Sequence, residues 1–185
     1  MTRPITQSES AKYAEIWGYD DYAKFSPGAY YADLFWRIAQ PKEGARVLDV
    51  GAGSGAATVE LKKRGLQVRA FDLTSEAWRH DDIPLLTGTI WRDLPAGPFD
   101  YTYCCDVMEH IPTEYVGLSI DRILAVGNRG FFSISFVQDH FGSVIGQPLH
   151  LTIKPFLWWV DLFSELGSLI DARDLIENGV FYVAR

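Results

Sequence analysis

Residues 47–55 read Val-Leu-Asp-Val-Gly-Ala-Gly-Ser-Gly and are followed directly by Ala-Ala-Thr-Val-Glu-Leu-Lys-Lys-Arg. An apolar strand over 46–50 turns through Gly51, Gly53 and Gly55 into a helix. Three glycines at alternate positions cost conformational entropy unless the chain must turn sharply or let a ligand approach its backbone. A glycine turn between a strand end and a helix start is where open α/β sheets bind ligands. Gly51, Gly53 and Ala56 also satisfy the loose Gly-x-Gly-x-x-Gly/Ala dinucleotide pattern, which is weak alone. Asp49 separates the two readings. A carboxylate just ahead of the loop repels an anionic pyrophosphate and favours a cationic ligand that carries no phosphate.

At this point the sequence resembles the class I S-adenosylmethionine-dependent methyltransferases of the small-molecule type, whose first motif looks like Asp49-Val50-Gly51-Ala52-Gly53-Ser54-Gly55. A second segment, Asp106-Val107-Met108-Glu109-His110-Ile111, is similar to one that often follows the fourth strand in such enzymes. The resemblance implies an α/β, Rossmann-like, doubly wound and mainly parallel seven-stranded sheet. Its order is 3-2-1-4-5-7-6, the last strand is antiparallel, and helices cover both faces. The alternation of apolar strand patterns with helical ones after Val47 points independently to a mainly parallel sheet.

The strands are expected near 46–50, 66–71, 84–87, 99–105, 130–136, 168–172 and 180–184. Asn178-Gly179 reads as a turn just before the last one. Thr6 and Glu9 have the spacing of a capping box, so the first helix is expected to start there. Ser26-Pro27 opens a second helix; beyond the one that follows the glycine turn, Pro112 opens a helix with Val116, Ile120, Ile123 and Leu124 on one face, and Pro155 opens another. With 185 residues, 48% of them hydrophobic, one domain spanning 1–185 is expected, with N-terminal helices over 1–44 and the Rossmann-like core over 45–185.

The net charge of -7 argues against broad, phosphate-driven nucleic-acid binding. Cys104 and Cys105 are adjacent, point to opposite faces of a strand and suit a reduced, cytoplasmic protein. No apolar run reaches membrane-spanning length and no signal-peptide core opens the chain, so no membrane association is expected.

The expected cofactor is S-adenosyl-L-methionine, leaving S-adenosyl-L-homocysteine as product. Asp49, Gly51, Ala52, Gly53 and Gly55 form its loop. Asp72, with Leu73 beside it, stands at the second strand's end, where an acid can accept both ribose hydroxyls. Thr89 and Ile90 stand where relatives meet the adenine, with Thr89 in place of the usual acid; Trp91 is a candidate for the adenine plane. Asp106 lies at the topological switch point. Tyr13, Trp17, Tyr22 and Ser26 are candidates for the methionine end, against a plain packing role.

Methyl transfer to a hydroxyl needs a base, and histidine is the usual one near neutral pH. His150, ahead of an aromatic-rich helix, is the first candidate and His110 the second; His80 reads as a solvated surface residue. No metal is expected, because the histidines and acids lack a ligand spacing of the His-Glu-x-x-His kind. The reading that follows is methyl transfer to a hydroxyl or amine of a small polar molecule. The alternative is a non-catalytic or accessory S-adenosylmethionine-binding domain acting with a partner, and an NAD-dependent oxidoreductase is a weaker third that Asp49 opposes.

Overall fold

The computed structural model describes residues 3–24 and 26–185. At its centre is strand β1 (Arg46–Val50), whose last four residues are all buried. Burial of consecutive residues means that both faces are covered, as in a parallel sheet flanked by helices. β1 pairs in parallel with β2 (Gln67–Asp72) on one side and β4 (Tyr101–Cys105) on the other. β3 (Leu85–Thr87) extends the sheet beyond β2, and β5 (Arg129–Ser135) beyond β4, also in parallel. β7 (Asn178–Ala184) runs antiparallel between β5 and the edge strand β6 (Ser168–Asp174). The order β3-β2-β1-β4-β5-β7-β6 is the expected one.

Strand alternation divides the core in two. Val47, Tyr103, Cys105, Phe131 and Tyr182 face α3 (Pro27–Ala39) and α4 (Ala56–Lys63), meeting Ala32, Phe35 and Leu61. Leu48, Val50, Cys104, Phe132 and Phe181 face the other way, against Ile120 and Ile123 of α6 (Thr113–Val126) and Trp159 and Phe163 of α7 (Phe156–Leu166). The two cysteines are therefore buried on opposite faces and are free. Burying one large apolar side chain stabilises by about 1.5–3 kcal/mol, so these two clusters hold the sheet between its helix layers. α5 (Ile90–Asp93) is one short turn beyond β3.

Two local expectations need correction. The first helix, α1 (Arg3–Ile16), begins before Thr6, so the Thr6/Glu9 pair is not its start. A further short helix, α2 (Asp20–Ala23), precedes α3. Asn178 and Gly179 are not the last turn but the first residues of β7, paired with Ser135 and Ile134. The chain reverses through 175–177, where Ile176 takes a φ of 77°. Gly179 has a different reason to be glycine: an added Cβ would lie 2.3 Å from Phe136 Cζ. Among the described residues, no helix is long and apolar enough to cross a membrane.

Candidate functional site

The crevice opens at the carboxyl ends of β1, β2 and β4. Two adjoining cavities occupy it, of about 720 Å³ and 530 Å³ including their open mouths. Trp17, Tyr22, Gly51, Gly53 and Asp106 line both.

The glycine loop forms the shared wall. Gly51 and Gly53 have φ of 75° and 53°, in the left-handed region that L side chains avoid. An added Cβ on Gly51 would lie 2.2 Å from Val107 Cγ2, and one on Gly53 would meet the Trp17 ring at 3.1 Å. Gly55 lines neither cavity. It begins α4 at φ 84°, and an added Cβ there would strike His80 at 2.4 Å. Gly55 thus has both a backbone and a packing reason to be glycine, and it stands outside the lining of the two cavities. His80 is half-buried over this glycine, edge-on to Trp78, rather than a solvated surface residue.

Four carboxylates line the crevice: Glu9, which is ion-paired with Lys12, and Asp49, Asp72 and Asp106. Asp72 accepts the Gly53 amide hydrogen at 2.8 Å on one oxygen and that of Thr74 at 3.2 Å on the other. Each oxygen keeps a second lone pair for a ligand hydroxyl. Burial pushes Asp72 above the ordinary carboxylate range, against the pull of those amides. Asp49 lines the smaller cavity with Ala52, Ser26, Tyr103 and Cys105. It is 2% exposed and accepts the Thr58 hydroxyl, and burial raises its pKa to about 7. Asp106 stands at φ 60°, an uncommon conformation for a residue with a side chain, and its amide is tied to Ser133 O.

The larger cavity is lined by Leu73, Thr89, Ile90, Trp91, Tyr13 and His110 among others. Thr89 does not offer its hydroxyl freely. Both its amide and its Oγ1 donate to Asp93 Oδ2, at 2.9 and 2.8 Å. Trp91 stacks on Tyr115 with its Nε1 buried and unpartnered. Tyr13 stands apart from its expected group: Trp17, Tyr22 and Ser26 flank the smaller cavity, whereas Tyr13 lies beside His110, rings 5.8 Å apart.

The histidines are brought together by a segment the sequence left irregular. In residues 137–154, the Asp139 carboxylate accepts the amides of Gly142, Leu149 and His150. The amides of Leu151 and Thr152 donate to Glu109 O, and Lys12 Nζ reaches Pro148 O at 3.3 Å. His150 therefore lies edge-on against His110, ring centroids 4.7 Å apart. His150 lines neither cavity, while His110 lines the larger one. Burial drives the His110 pKa down to about 3, so its imidazole is neutral. His140 is exposed on the same segment.

Sequence reasoning gave no role to Glu109, Asp139 or Lys12. Glu109 is fully buried beneath the crevice; its Oε1 accepts the Ser135 amide at 2.6 Å. Burial and the neighbouring Asp106 carboxyl both raise its pKa. A charged residue inside a motif that resembles a binding segment was the one available signal for Glu109. Lys12 and Asp139 each have one local partner, Glu9 and the Gly142 amide, but their reach to Pro148 O and to the amides of Leu149 and His150 had no signal, since those are backbone atoms distant in sequence.

The family model described as a methyltransferase domain matches residues 22–177. The ubiquinone biosynthesis O-methyltransferase of Ralstonia nicotianae is 30% identical over 129 residues, which are 62% of this chain and 54% of that protein. Its counterpart in Burkholderia vietnamiensis is 31% identical over 151 residues, 71% of this chain and 65% of that protein. The chain thus spans about half the length of the Ralstonia relative. Among solved structures, 1,6-didemethyltoxoflavin-N1-methyltransferase of Burkholderia thailandensis, crystallised with 1,6-didemethyltoxoflavin and S-adenosylhomocysteine, superposes with a TM-score of 0.70 at 16% identity, covering 98% of this chain and 87% of that one. Magnesium protoporphyrin IX methyltransferase of Synechocystis PCC 6803, with bound SAH, gives 0.62 at 16% identity over 85% and 83%. At these identities the superpositions speak to fold.

Proposed function

Since the chain belongs to the methyltransferase domain family, we propose that it moves a methyl group from S-adenosylmethionine to a hydroxyl or amine of a small polar molecule. The observation that carries this reading is the charge of the crevice. Asp49, Asp72 and Asp106 line it with Glu9, whose charge Lys12 pairs, and among the described residues neither cavity is lined by a lysine or arginine. Such a wall suits a sulfonium and an ammonium and opposes a pyrophosphate, because Coulomb energies are large where water is partly excluded.

The residues fit the cofactor in this reading. Asp72 would take the ribose hydroxyls with the lone pairs left by Gly53 and Thr74. Leu73, Ile90 and Trp91 would border the adenine, Thr89 offering an amide and a hydroxyl that are both already engaged with Asp93. Asp49, Gly51, Ala52, Gly53, Tyr22 and Ser26 would surround the methionine end, with Asp49 favouring the ammonium. When bound, the cofactor supplies an electrophilic methyl group on a positively charged sulfur.

The chain's own contribution is then position and exclusion of water. Tyr13, Trp17 and Tyr22, from the N-terminal helices, wall the crevice opposite the sheet, and holding an acceptor at attack distance can remove several kcal/mol of the barrier. His110 reaches the cavity where an acceptor would stand, and a neutral imidazole there can accept its hydrogen bond. His150 would act through His110, behind it, rather than on the acceptor directly. The expectation that His150 is the primary base thus gives way to an order in which His110 comes first.

Titration calorimetry with S-adenosylmethionine and with NAD tests the reading. Binding of the former and not the latter is expected; the reverse would overturn it. Release of labelled methyl to a panel of small polyols, phenols and amines then distinguishes an enzyme from an accessory binding domain.

A further inference from the structure

Glu109, His110 and His150 each offer one metal-ligating atom, the three atoms lying within 4.8 Å of one another. The arrangement of the remaining atoms is what gives this cluster meaning. His110 Nδ1 is 3.2 Å from Leu149 O and His150 Nδ1 is 2.6 Å from Val137 O. A carbonyl only accepts, so each Nδ1 carries the proton and each Nε2 is left with its lone pair free. Backbone carbonyls that fix the tautomer in this way are the usual outer support of metal-bound histidines. Glu109 is held likewise: Ser135 N–H fixes Oε1, while Oε2 is buried, in a residue 0% exposed, with no donor bonded to it. The Asp106 carboxyl beside it can share a proton with Glu109 but brings further negative charge, so this position calls for either a proton or a cation.

We propose that Glu109, His110 and His150 form a binding site for a divalent transition-metal ion at the wall of the larger cavity. Two imidazoles and one carboxylate suit zinc or manganese and are a poor set for magnesium or calcium, which prefer oxygen donors throughout. Bonds of about 2.0–2.2 Å at tetrahedral angles put donors about 3.3–3.6 Å apart, so side-chain movements of about an ångström from separations of up to 4.8 Å complete the site. Three protein ligands leave a zinc ion one open position, as in catalytic rather than structural sites. His110 lines the cavity, so that position faces it. On the methyl-transfer reading above, the ion would take over the role given there to the His110 lone pair, holding and polarising the acceptor's oxygen in place of a hydrogen bond to the imidazole; binding of the ion itself does not depend on that reading.

The motif spacing hides this site. Glu109 and His110 are neighbours in sequence, and the third ligand arrives from residues 137–154 through the Asp139 hydrogen bonds.

The test is equilibrium binding of Zn2+, Mn2+ and Mg2+, each alone, to the purified, chelator-stripped chain, read by calorimetry and, for manganese, by its paramagnetic resonance signal. One zinc or manganese ion per chain is expected, bound at least tenfold more tightly than magnesium. His150→Ala should weaken binding at least tenfold, and Glu109→Gln likewise. His150 is half-buried and tests the site even if Glu109→Gln fails to fold, with circular dichroism verifying that His150→Ala keeps its structure. Absence of binding, tighter binding of magnesium, or zinc binding that a folded His150→Ala leaves unchanged would each overturn the proposal. Metal binding without methyl transfer would leave the site standing and count against the proposed function instead.

Discussion

Asp72 and Gly53 are joined across 19 residues by a 2.8 Å hydrogen bond from the glycine amide to the carboxylate. The acid at the end of β2 thereby braces the loop that leaves β1. One carboxylate thus shapes the crevice wall and keeps lone pairs toward the crevice.

Replacing Asp72 with alanine should remove both the brace and a ligand contact. Loss of hydrogen bonds to a charged group predicts S-adenosylmethionine binding weaker by about 1–3 kcal/mol. Calorimetry would measure it; affinity within twofold of the unaltered chain would show that Asp72 holds only the loop in place of a ligand.

Gly51→Ala should cost more than a usual alanine substitution in a loop. The new Cβ would fall 2.2 Å from Val107 Cγ2, and the φ of 75° is strained for any side chain. A second change, Val107→Ala, should restore part of the lost thermal stability by removing the clash but not the strain. If the double variant melts no higher than Gly51→Ala, the contact with Val107 is not the cause.

Asp49 gives a pH dependence with a definite sign. Its folded pKa is raised from 3.8 to about 7, chiefly by burial. The folded state therefore holds a proton that the unfolded state has lost, and stability falls as pH rises from about 4 to about 7. Denaturant unfolding of Asp49→Asn, compared with the unaltered chain at pH 5 and pH 8, should show the variant gaining relative stability at the higher pH. An ammonium ligand would pull the Asp49 pKa down, so S-adenosylmethionine binding near pH 6.5 should release protons, detectable as a dependence of the binding heat on buffer. A buffer-independent heat would argue against an ammonium beside Asp49.

Asp139→Ala removes the acceptor shared by the amides of Gly142, Leu149 and His150. Hydrogen exchange at these amides should accelerate while that of β1 and β4 stays slow. Methyl transfer should fall with cofactor affinity nearly unchanged, since Asp139 lines neither cofactor cavity. A parallel loss of cofactor affinity would mean that the segment supports the whole crevice.

What the sequence determined by itself was the sheet and its ligand rim. The buried run of β1, the glycines after it and the acids Asp72 and Asp106 at strand ends were legible because their causes are local. Burial on both faces writes a continuous apolar strand, a left-handed turn selects glycine, and strand ends place acids at the rim. Gly55 shares that local cause and is packed by His80 besides, whereas the Asn178-Gly179 pair looked equally local and yet has its glycine set by Phe136, packed on it from elsewhere. Only the tertiary structure decided which histidine faces the cavity and that Glu109, His110 and His150 meet. Their meeting depends on Asp139 gathering three amides, on Lys12 reaching Pro148 and on two carbonyls fixing two imidazoles. Hydrogen bonds to backbone atoms leave no pattern in side-chain sequence, because every residue presents the same carbonyl.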